Sequence, residues 1–473
     1  MMKFLKTYRF AFLWYCLLFG TGYELYEFVA NNKHIRISHL FSTKYYINYY
    51  WILLIYLFSE FCFISLCKYH ERKDKLLNIP DEEKKLSLQN IAIIIPIHNT
   101  PREDIRKNII HLNTIFPIGS IHIAENDGNE KKDEELFEIC RELNAYYHYY
   151  PIGNKANAIL KTAKYIKEFQ PEVKHVILLD DDTIIESDFF IRRDILSDPT
   201  VAGYTCCIGI ERKNPQKTNW IEECVDLEYR TISYRNRSRN LHTLKFLHGI
   251  ICVYKIDCLI EIFKWNVCDI GGLPFGEDAF AGLKSRAIGY KLKQDHLNSV
   301  RTFCPTQLYP SIKISREQGY GASSIFKQRA KRWYVSWLRR LPEEVALLLT
   351  YDSGNWLGNI LYRCDFIWYI YITFISSIWM LLLIATFFDI RNFIMFLIIH
   401  SGFYIVNILN NYWRIFNMNE KEKNGIDWKT PIFYYLFNIN ILLMYTFAFL
   451  YSIFYYIPFV RINYKKLYSI EKY

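Results

Sequence analysis

The sequence predicts an α/β fold: a mostly parallel sheet covered by helices, with apolar helices of membrane-spanning length on both sides. Three observations carry this expectation. The run IAIIIPI (Ile91–Ile97) has no polar alternation, which marks a strand buried on both faces. From about Gln89 onward, short apolar runs alternate with amphipathic stretches, as β-α-β units require. Tyr and Phe, 38 and 34 of the 473 residues, concentrate in blocks toward the two ends, while charged residues fill the middle.

At the N-terminus, FAFLWYCLLFGTGY (Phe10–Tyr23) follows Lys3, Lys6 and Arg9. GTGYELYEF offers no convincing small-residue cleavage site, so the segment reads as an uncleaved anchor. Tyr45–Cys67 has the roughly 20 residues that cross a bilayer. Glu60, near its end, is read as reaching the interface. Lys68, His70, Arg72, Lys73 and Lys75 come next, and the excess of Lys and Arg on the cytoplasmic side places the middle of the chain in the cytosol. Phe366–Phe388, Phe393–Leu409 and Pro431–Pro458 are further apolar runs of spanning character. Five spans would leave Arg461, Lys465 and Lys466 outside, so either a span is missed or the tail departs from the charge rule. The expected divisions are residues 1–75 (two spans and a linker), 76–322 (the soluble domain), 323–362 (interfacial amphipathic helices) and 363–473 (C-terminal spans and basic tail). The net charge of +10 is accounted for by these flanks and one basic cluster rather than by nucleic-acid binding. Twelve cysteines without C-x-x-C spacing indicate neither a zinc site nor a disulfide framework.

Within the soluble part, Ile105, Ile109 and Leu112 recur at helical spacing after the first strand, and Ile121–Ala124 gives a second strand. A helix carrying Leu136, Ile139 and Leu143 follows, then another carrying Ala156, Ile159 and Ala163, which leads into the strand HVILL (His175–Leu179). In such sheets ligands bind beyond the carboxyl ends of the strands. The first strand ends in Pro96, His98 and Asn99, the second in Glu125, Asn126, Asp127 and Gly128, and the third in Asp180, Asp181 and Asp182. All three ends are expected on one rim.

Several carboxylates at one strand end repel each other unless a cation is present, and Mg²⁺ or Mn²⁺ take oxygen ligands that they share with substrate phosphates. A solvated turn capping the next helix is the alternative for an isolated Asp triplet. The aliphatic strand in front of it, with Asp127 at a neighbouring strand end, favours the metal. No G-x-G-x-x-G follows the first strand and no G-x-x-x-x-G-K-[ST] occurs, so neither a dinucleotide fold nor a P-loop is supported. A nucleotide held through its diphosphate by a metal remains. Lys155, in GNKANAI at a helix start, adds positive charge and amide donors for the same phosphates.

These residues resemble glycosyltransferase family 2, and most closely its membrane-embedded processive branch of cellulose, chitin and hyaluronan synthases. The resemblance covers roughly Ile91 to Trp337 and implies a GT-A, Rossmann-like fold with inverting use of a UDP-sugar. IAIIIPIHNT is similar to the strand that contacts the nucleotide, through Pro96 and Asn99. ENDG is similar to the D-D-G segment that reads the uracil; Asn126 stands at its first aspartate, so the role passes to Asp127. GNKANAI resembles the lysine-containing G-K-A segment, and LLDDDT supplies D-x-D as Asp180 and Asp182 for the metal, with Asp181 on the donor side. GEDAF resembles T-E-D, with Gly276 in place of threonine, Glu277 beside the acceptor and Asp278 as general base. KQRAKRWYVSW resembles Q-x-x-R-W. Gln328 is one residue too far from Arg332 and Trp333, leaving Arg329 at the glutamine position, as in some lipid glucosyltransferases. Gly249, in FLHGIICVYK, matches a small-residue segment near the acceptor.

Each signal has a plainer reading. GED suits a helix N-terminus, and Trp333, Trp337, Leu341, Val345 and Leu349 form an interfacial stripe that Pro342 should break into two helices. The implied protein is a multi-pass enzyme of the plasma membrane, with its catalytic domain in the cytosol. It would take a UDP-sugar donor with Mg²⁺ or Mn²⁺, a glycan or lipid acceptor, and no nucleic acid. The first alternative is a lipid glycosyltransferase of the ceramide glucosyltransferase type. The second, a nucleotide-sensing transporter, is disfavoured because the spans hold few ionisable groups beyond Glu60 and Asp365.

Overall fold

The computed structural model describes residues 60–74, 79–126, 131–151, 153–212, 219–270, 276–310, 324–387, 390–418, 420–423 and 425–452. Phe10–Tyr23, most of Tyr45–Cys67, Asp127 and the basic tail lie outside the described residues. Eight strands, β1 (Ile91–Ile97), β2 (Ile121–Glu125), β3 (Tyr146–Tyr149), β4 (His175–Leu179), β5 (Thr183–Ile185), β6 (Val201–Ile210), β7 (Ile251–Lys255) and β8 (Lys291–Thr302), form one sheet in the order β3-β2-β1-β4-β7-β6-β8-β5.

The first four strands in that order are parallel. All of β1 is buried because helices cover both of its faces. Ile91, Ile93, Ile95 and Ile97 pack with Ile105 and Ile109 of α1 (Arg102–Asn113) and Leu136 and Ile139 of α2 (Glu134–Glu142). Ala92 and Ile94 face the other way, onto Ala156, Ile159 and Ala163 of α3 (Lys155–Phe169). The two-residue alternation of a strand produces this division. Asn154 caps α3 by accepting from the Asn157 N–H at 3.0 Å, which sets Lys155 as the first helical residue on the strand-end rim.

The other half of the sheet is mixed. β7 runs antiparallel to β4, with Ile251 opposite Leu179, and β6 runs parallel to β8. This half was not legible as strands in the sequence. β8 is polar, and its buried Asp295 is held by Arg192 at 2.9 Å while Asn298 bonds the Phe190 backbone. The antiparallel pairing matters for the site, since it lays the segment before β7 against the end of β4. The Asp180 N–H donates to the Ile250 carbonyl at 3.1 Å.

The long helices after α3 are α4 (Trp220–Asn236), α5 (Ile256–Ile270), α6 (Glu277–Ala287), α7 (Tyr334–Thr350), α8 (Trp356–Phe387), α9 (Ile390–Asn417) and α10 (Thr430–Tyr451), with α5 packed against α3 and α10 against α8 and α4. The apolar runs Phe366–Phe388 and Phe393–Leu409 fall in α8 and α9. Among the described residues, α10 is the one helix that is long and apolar enough to cross a membrane, against the five spans expected.

Two local expectations are corrected. Glu60 is buried and paired with Arg414, whose Nε donates to it at 2.8 Å, rather than reaching an interface. Helix α7 runs unbroken past Pro342. Its two sides are tied together by contacts on one face: Arg340 donates to the Ala279 carbonyl at 3.2 Å, and Glu344 takes both terminal nitrogens of Arg286 at 2.7 and 2.8 Å. These bonds outweigh the one helical hydrogen bond that proline removes. Arg286 and Glu344 are both buried, so Glu344→Ala would leave an unpaired guanidinium in the core. It is expected to cost about 3–5 kcal/mol, measured as a fall in the thermal unfolding midpoint of the purified protein.

Candidate active site

The carboxyl ends of β1 and β4, the N-terminus of α6 and the segment leading into α7 enclose a single large cavity of about 1310 Å³. Pro96, Lys155, Asp180, Asp181, Asp182, Gly249, Glu277, Asp278, Gln328, Arg329, Arg332 and Trp333 all line it, although they are scattered over more than two hundred positions of sequence. Asp127 lies outside the described residues; its neighbour Asn126 lines the cavity and is buried. Asn99 does not line it. Its φ of 53° places it in the left-handed region and its side chain is exposed, while His98 and Thr100 on either side line the wall.

Lys155 is the pivot of the acidic side. Its Nζ lies 2.6 Å from Asp180 and 2.8 Å from Glu277, so one ammonium joins the end of β4 to the start of α6. Burial opposes its charge, but the two carboxylates prevail and hold its pKa well above the usual lysine value. Burial likewise opposes ionisation of Glu277, and Lys155 again prevails, lowering its pKa.

Asp181 and Asp182 have weaker partners. Thr100 donates to Asp181, and Thr302 donates to Asp182 at 3.1 Å. Burial, reinforced by the neighbouring aspartates, pushes Asp181 up to about 6 and Asp182 up to about 8. Among the described residues no cluster of three His, Cys, Asp or Glu side chains forms a complete metal site. A run of oxygen donors with uncompensated repulsion fits a hard divalent cation that completes its shell with substrate phosphates.

Asp278 faces this group from α6. Its Oδ2 accepts from the Gly249 N–H at 3.3 Å and its Oδ1 from the Ala279 N–H at 2.7 Å. Burial first, then the charge of Glu277, raises it to about 6, a value suited to taking a proton near neutrality. A Cβ at Gly249 would stand 3.6 Å from Asp278, so the small residue leaves the space beside the carboxylate open.

The sequence departs from T-E-D at Gly276 for a local reason. Gly276 has φ +72°, and a Cβ there would fall 2.1 Å from Ser336 Oγ of α7. Close approach of α7 to the start of α6 excludes any side chain.

Another wall of the cavity is built by Gln328, the π-helical segment Arg329–Trp333 and α7. A π turn accommodates one residue more than an α turn. The extra residue between Gln328 and Arg332 is absorbed there, and both side chains reach the cavity. Arg329 is committed elsewhere: it is buried, bonded to Glu228 at 2.5 Å and stacked between Trp333 and Phe437. Gln328 Oε1, Ser336 Oγ and Trp337 Nε1 are buried with no hydrogen-bond partner among the described residues, which leaves polar groups for a hydroxyl-rich ligand. Of these, sequence reasoning named Gln328. It also missed His248, Arg235, Arg239, Lys245 and Arg340 on the wall, and Tyr369 and Tyr445 from α8 and α10. HisGly before a β-strand was the available signal for His248; the cations carried none.

No family model matches the chain, and no curated protein matches it. Solved structures with partial likeness include the mannosyltransferase PcManGT from Pyrobaculum calidifontis with GDP-Man and Mn²⁺, at 14% identity and TM-score 0.33, covering 75% of this chain and 99% of that one. GalNAc-T7 with UDP, GalNAc and Mn²⁺ gives 12%, 0.35, and 59% and 55% coverage. S. aureus TarS gives 11%, 0.35, and 77% and 55%. The chain thus spans about half the length of the last two. Likeness at this level establishes neither family nor activity for this chain.

The Gly276 geometry gives a direct check. Gly276→Thr is expected to destabilise the protein by about 1–2 kcal/mol from the backbone alone. Ser336→Gly should recover only the clash, as read by the thermal midpoints of single and double variants.

Proposed function

We propose that this chain is a membrane-anchored, inverting glycosyltransferase that moves a sugar from a UDP-sugar to a growing β-linked polysaccharide and passes the product out through its own helices. The observation that carries this reading is the meeting of the Asp180–Asp182 triplet, Lys155, Asp278 and the Gln328–Trp333 segment around one cavity. Support for the membrane part comes from the apolar side chains left exposed on the C-terminal helices, including Ile432, Phe433 and Leu436 of α10 and Ile398, Ile405 and Leu409 of α9. Tyr369 and Tyr445 bring α8 and α10 to the cavity wall, which supports a product route along them. The plasma membrane, with the catalytic domain in the cytosol, is the location this reading assigns.

The chemistry follows from the two faces of the cavity. An acceptor hydroxyl attacks the anomeric carbon, Asp278 takes its proton as the new C–O bond forms, and the bond to the diphosphate breaks with its electron pair on the departing oxygen. Asp182, with Asp180, would hold Mg²⁺ or Mn²⁺, which when bound neutralises charge on the diphosphate. Arg332 would pair with that diphosphate, and Trp333 would wall the acceptor sugar. Arg329, whose position motivated the single-sugar lipid alternative, is held by Glu228 and lends that alternative no separate support.

Asp278→Asn is expected to lower transfer from UDP-sugars by at least about 100-fold while UDP affinity changes little. Incorporation of radiolabelled sugar and equilibrium UDP binding test the two halves, and wild-type protein that incorporates no label from any UDP-sugar would count against the whole reading. In the wild type, kcat/KM should rise as pH passes upward through about 6, because the base acts as its carboxylate. That limb should vanish in the variant. Asp182→Asn should abolish the enhancement of UDP binding by Mn²⁺, seen by titration with and without the metal.

A further inference from the structure

Besides the Asp180–Asp182 carboxylates, the cavity wall carries a group of cations in excess of their acidic partners. Arg235 and Arg239, at the end of α4 and just beyond it, and Lys245 form this group. Asp365 of α8 accepts from Arg239 at 2.8 and 2.9 Å, and stands 4.0 Å from Arg235 and 3.9 Å from Lys245. Glu60 is taken by Arg414, with Arg235 at 3.9 Å. Four cations are therefore set against two carboxylates among the described residues. Glu344, the next acid, is occupied by Arg286.

Two of these cations lack hydrogen bonds. Lys245 has a side chain only 7% exposed, makes no hydrogen bond among the described residues, and rests 3.0 Å over the Tyr369 ring. The Nε of Arg235 is buried without a hydrogen-bond partner among the described residues, its nearest acid being Glu60 at 3.9 Å. Buried cations without matched anions are costly, and burial accordingly pushes the Lys245 ammonium well below its usual pKa. Arginine has no such escape by losing its proton. The compensation is an anion supplied from the cavity.

We infer that Arg235, Arg239 and Lys245 form a subsite for an anionic group, phosphate or carboxylate, carried by the acceptor; this rests on the glycosyl-transfer reading and names its substrate class. Position favours the acceptor over the donor. The donor's diphosphate belongs with Asp180–Asp182 in this reading, and none of the three cations pairs with those carboxylates, whereas Lys245 lies four residues before Gly249, the residue bonded to Asp278. Four residues reach at most about 14 Å, so one acceptor can touch both the base and the cations. Trp337 and Tyr369, whose rings are 5.4 Å apart, also line the cavity and provide aromatic faces beside Lys245.

The test uses the full chain in detergent, without donor or metal. Binding of geranylgeranyl phosphate is compared with that of geranylgeraniol, and a glucuronate-terminated β-linked tetrasaccharide with its neutral counterpart. One anionic probe is expected to bind at least about tenfold more tightly than its neutral partner, with the margin shrinking as salt is raised. The pair that shows it distinguishes a lipid phosphate from a uronate. Lys245→Met combined with Arg235→Gln should remove the margin, and Lys245→Arg should keep it. No preference for either anion in the wild type overturns the subsite, as does a preference that survives the double substitution; the wild-type salt series decides if a variant fails to fold. UDP binding with Mn²⁺ is read in parallel. A matching loss of UDP affinity in Lys245→Met would assign the cations to the leaving diphosphate and overturn the proposal, whereas a wild type that binds no UDP would overturn the glycosyl-transfer reading and leave the anion comparison to be judged on its own.

Discussion

The contact on which the site depends is the double ion pair of Lys155. Asp180 belongs to the end of a strand in the parallel half of the sheet, and Glu277 begins a helix about a hundred residues later in the chain, where neither sheet register nor hydrophobic packing brings their charges into alignment. A shared ammonium turns two repelling carboxylates into a fixed pair and orients Asp278, the next residue on α6, toward the cavity. Its own position is set by something simpler, the Asn154 cap that starts α3 at the rim of the sheet. A local hydrogen bond thus fixes a long-range electrostatic one.

The same economy appears across the cavity. Gly249 and Gly276 contribute by what they lack: one leaves room beside Asp278, and the other lets α7 approach the beginning of α6. The helix that makes this approach also carries Arg340 and Glu344, so the packing that shapes this wall is coupled to the ion pair that secures α7 against α6. Removing bulk at two positions allows the two halves of the site to meet.

Much of the parallel half of the fold was legible in the sequence. β1, β2 and β4 are nearly continuous aliphatic runs, and the helices between them repeat apolar residues at helical spacing, so local pattern and burial agree. The mixed half was hidden because its order comes from pairing with distant segments. β8 reads as a polar stretch, and only the Arg192–Asp295 pair and the Asn298 bonds make burial of such a strand tolerable. In the site, residues at strand ends and in compact motifs could be named in advance. Asn99 was misjudged because its left-handed backbone turns the chain between two residues that do face inward. Arg235, Arg239 and Lys245 belong to a stretch, RTISYRNRSRNLHTLK, that looks like an ordinary solvated surface. Its burial comes from packing against the distant strands β6 and β8 and, at Arg235, Arg239 and Lys245, from ion pairing with Asp365 of α8, and no local pattern encodes that.

The π-helical segment at Arg329–Trp333 has a consequence for how such chains are compared. Spacing along a polypeptide is a proxy for direction in space, and the proxy fails wherever the helix widens. A signature written with a rigid interval between its glutamine and its arginine would pass over this chain, even though both side chains arrive at the same wall. Counting by angular position around the helix axis, rather than by residue number, makes a one-residue insertion nearly silent in three dimensions.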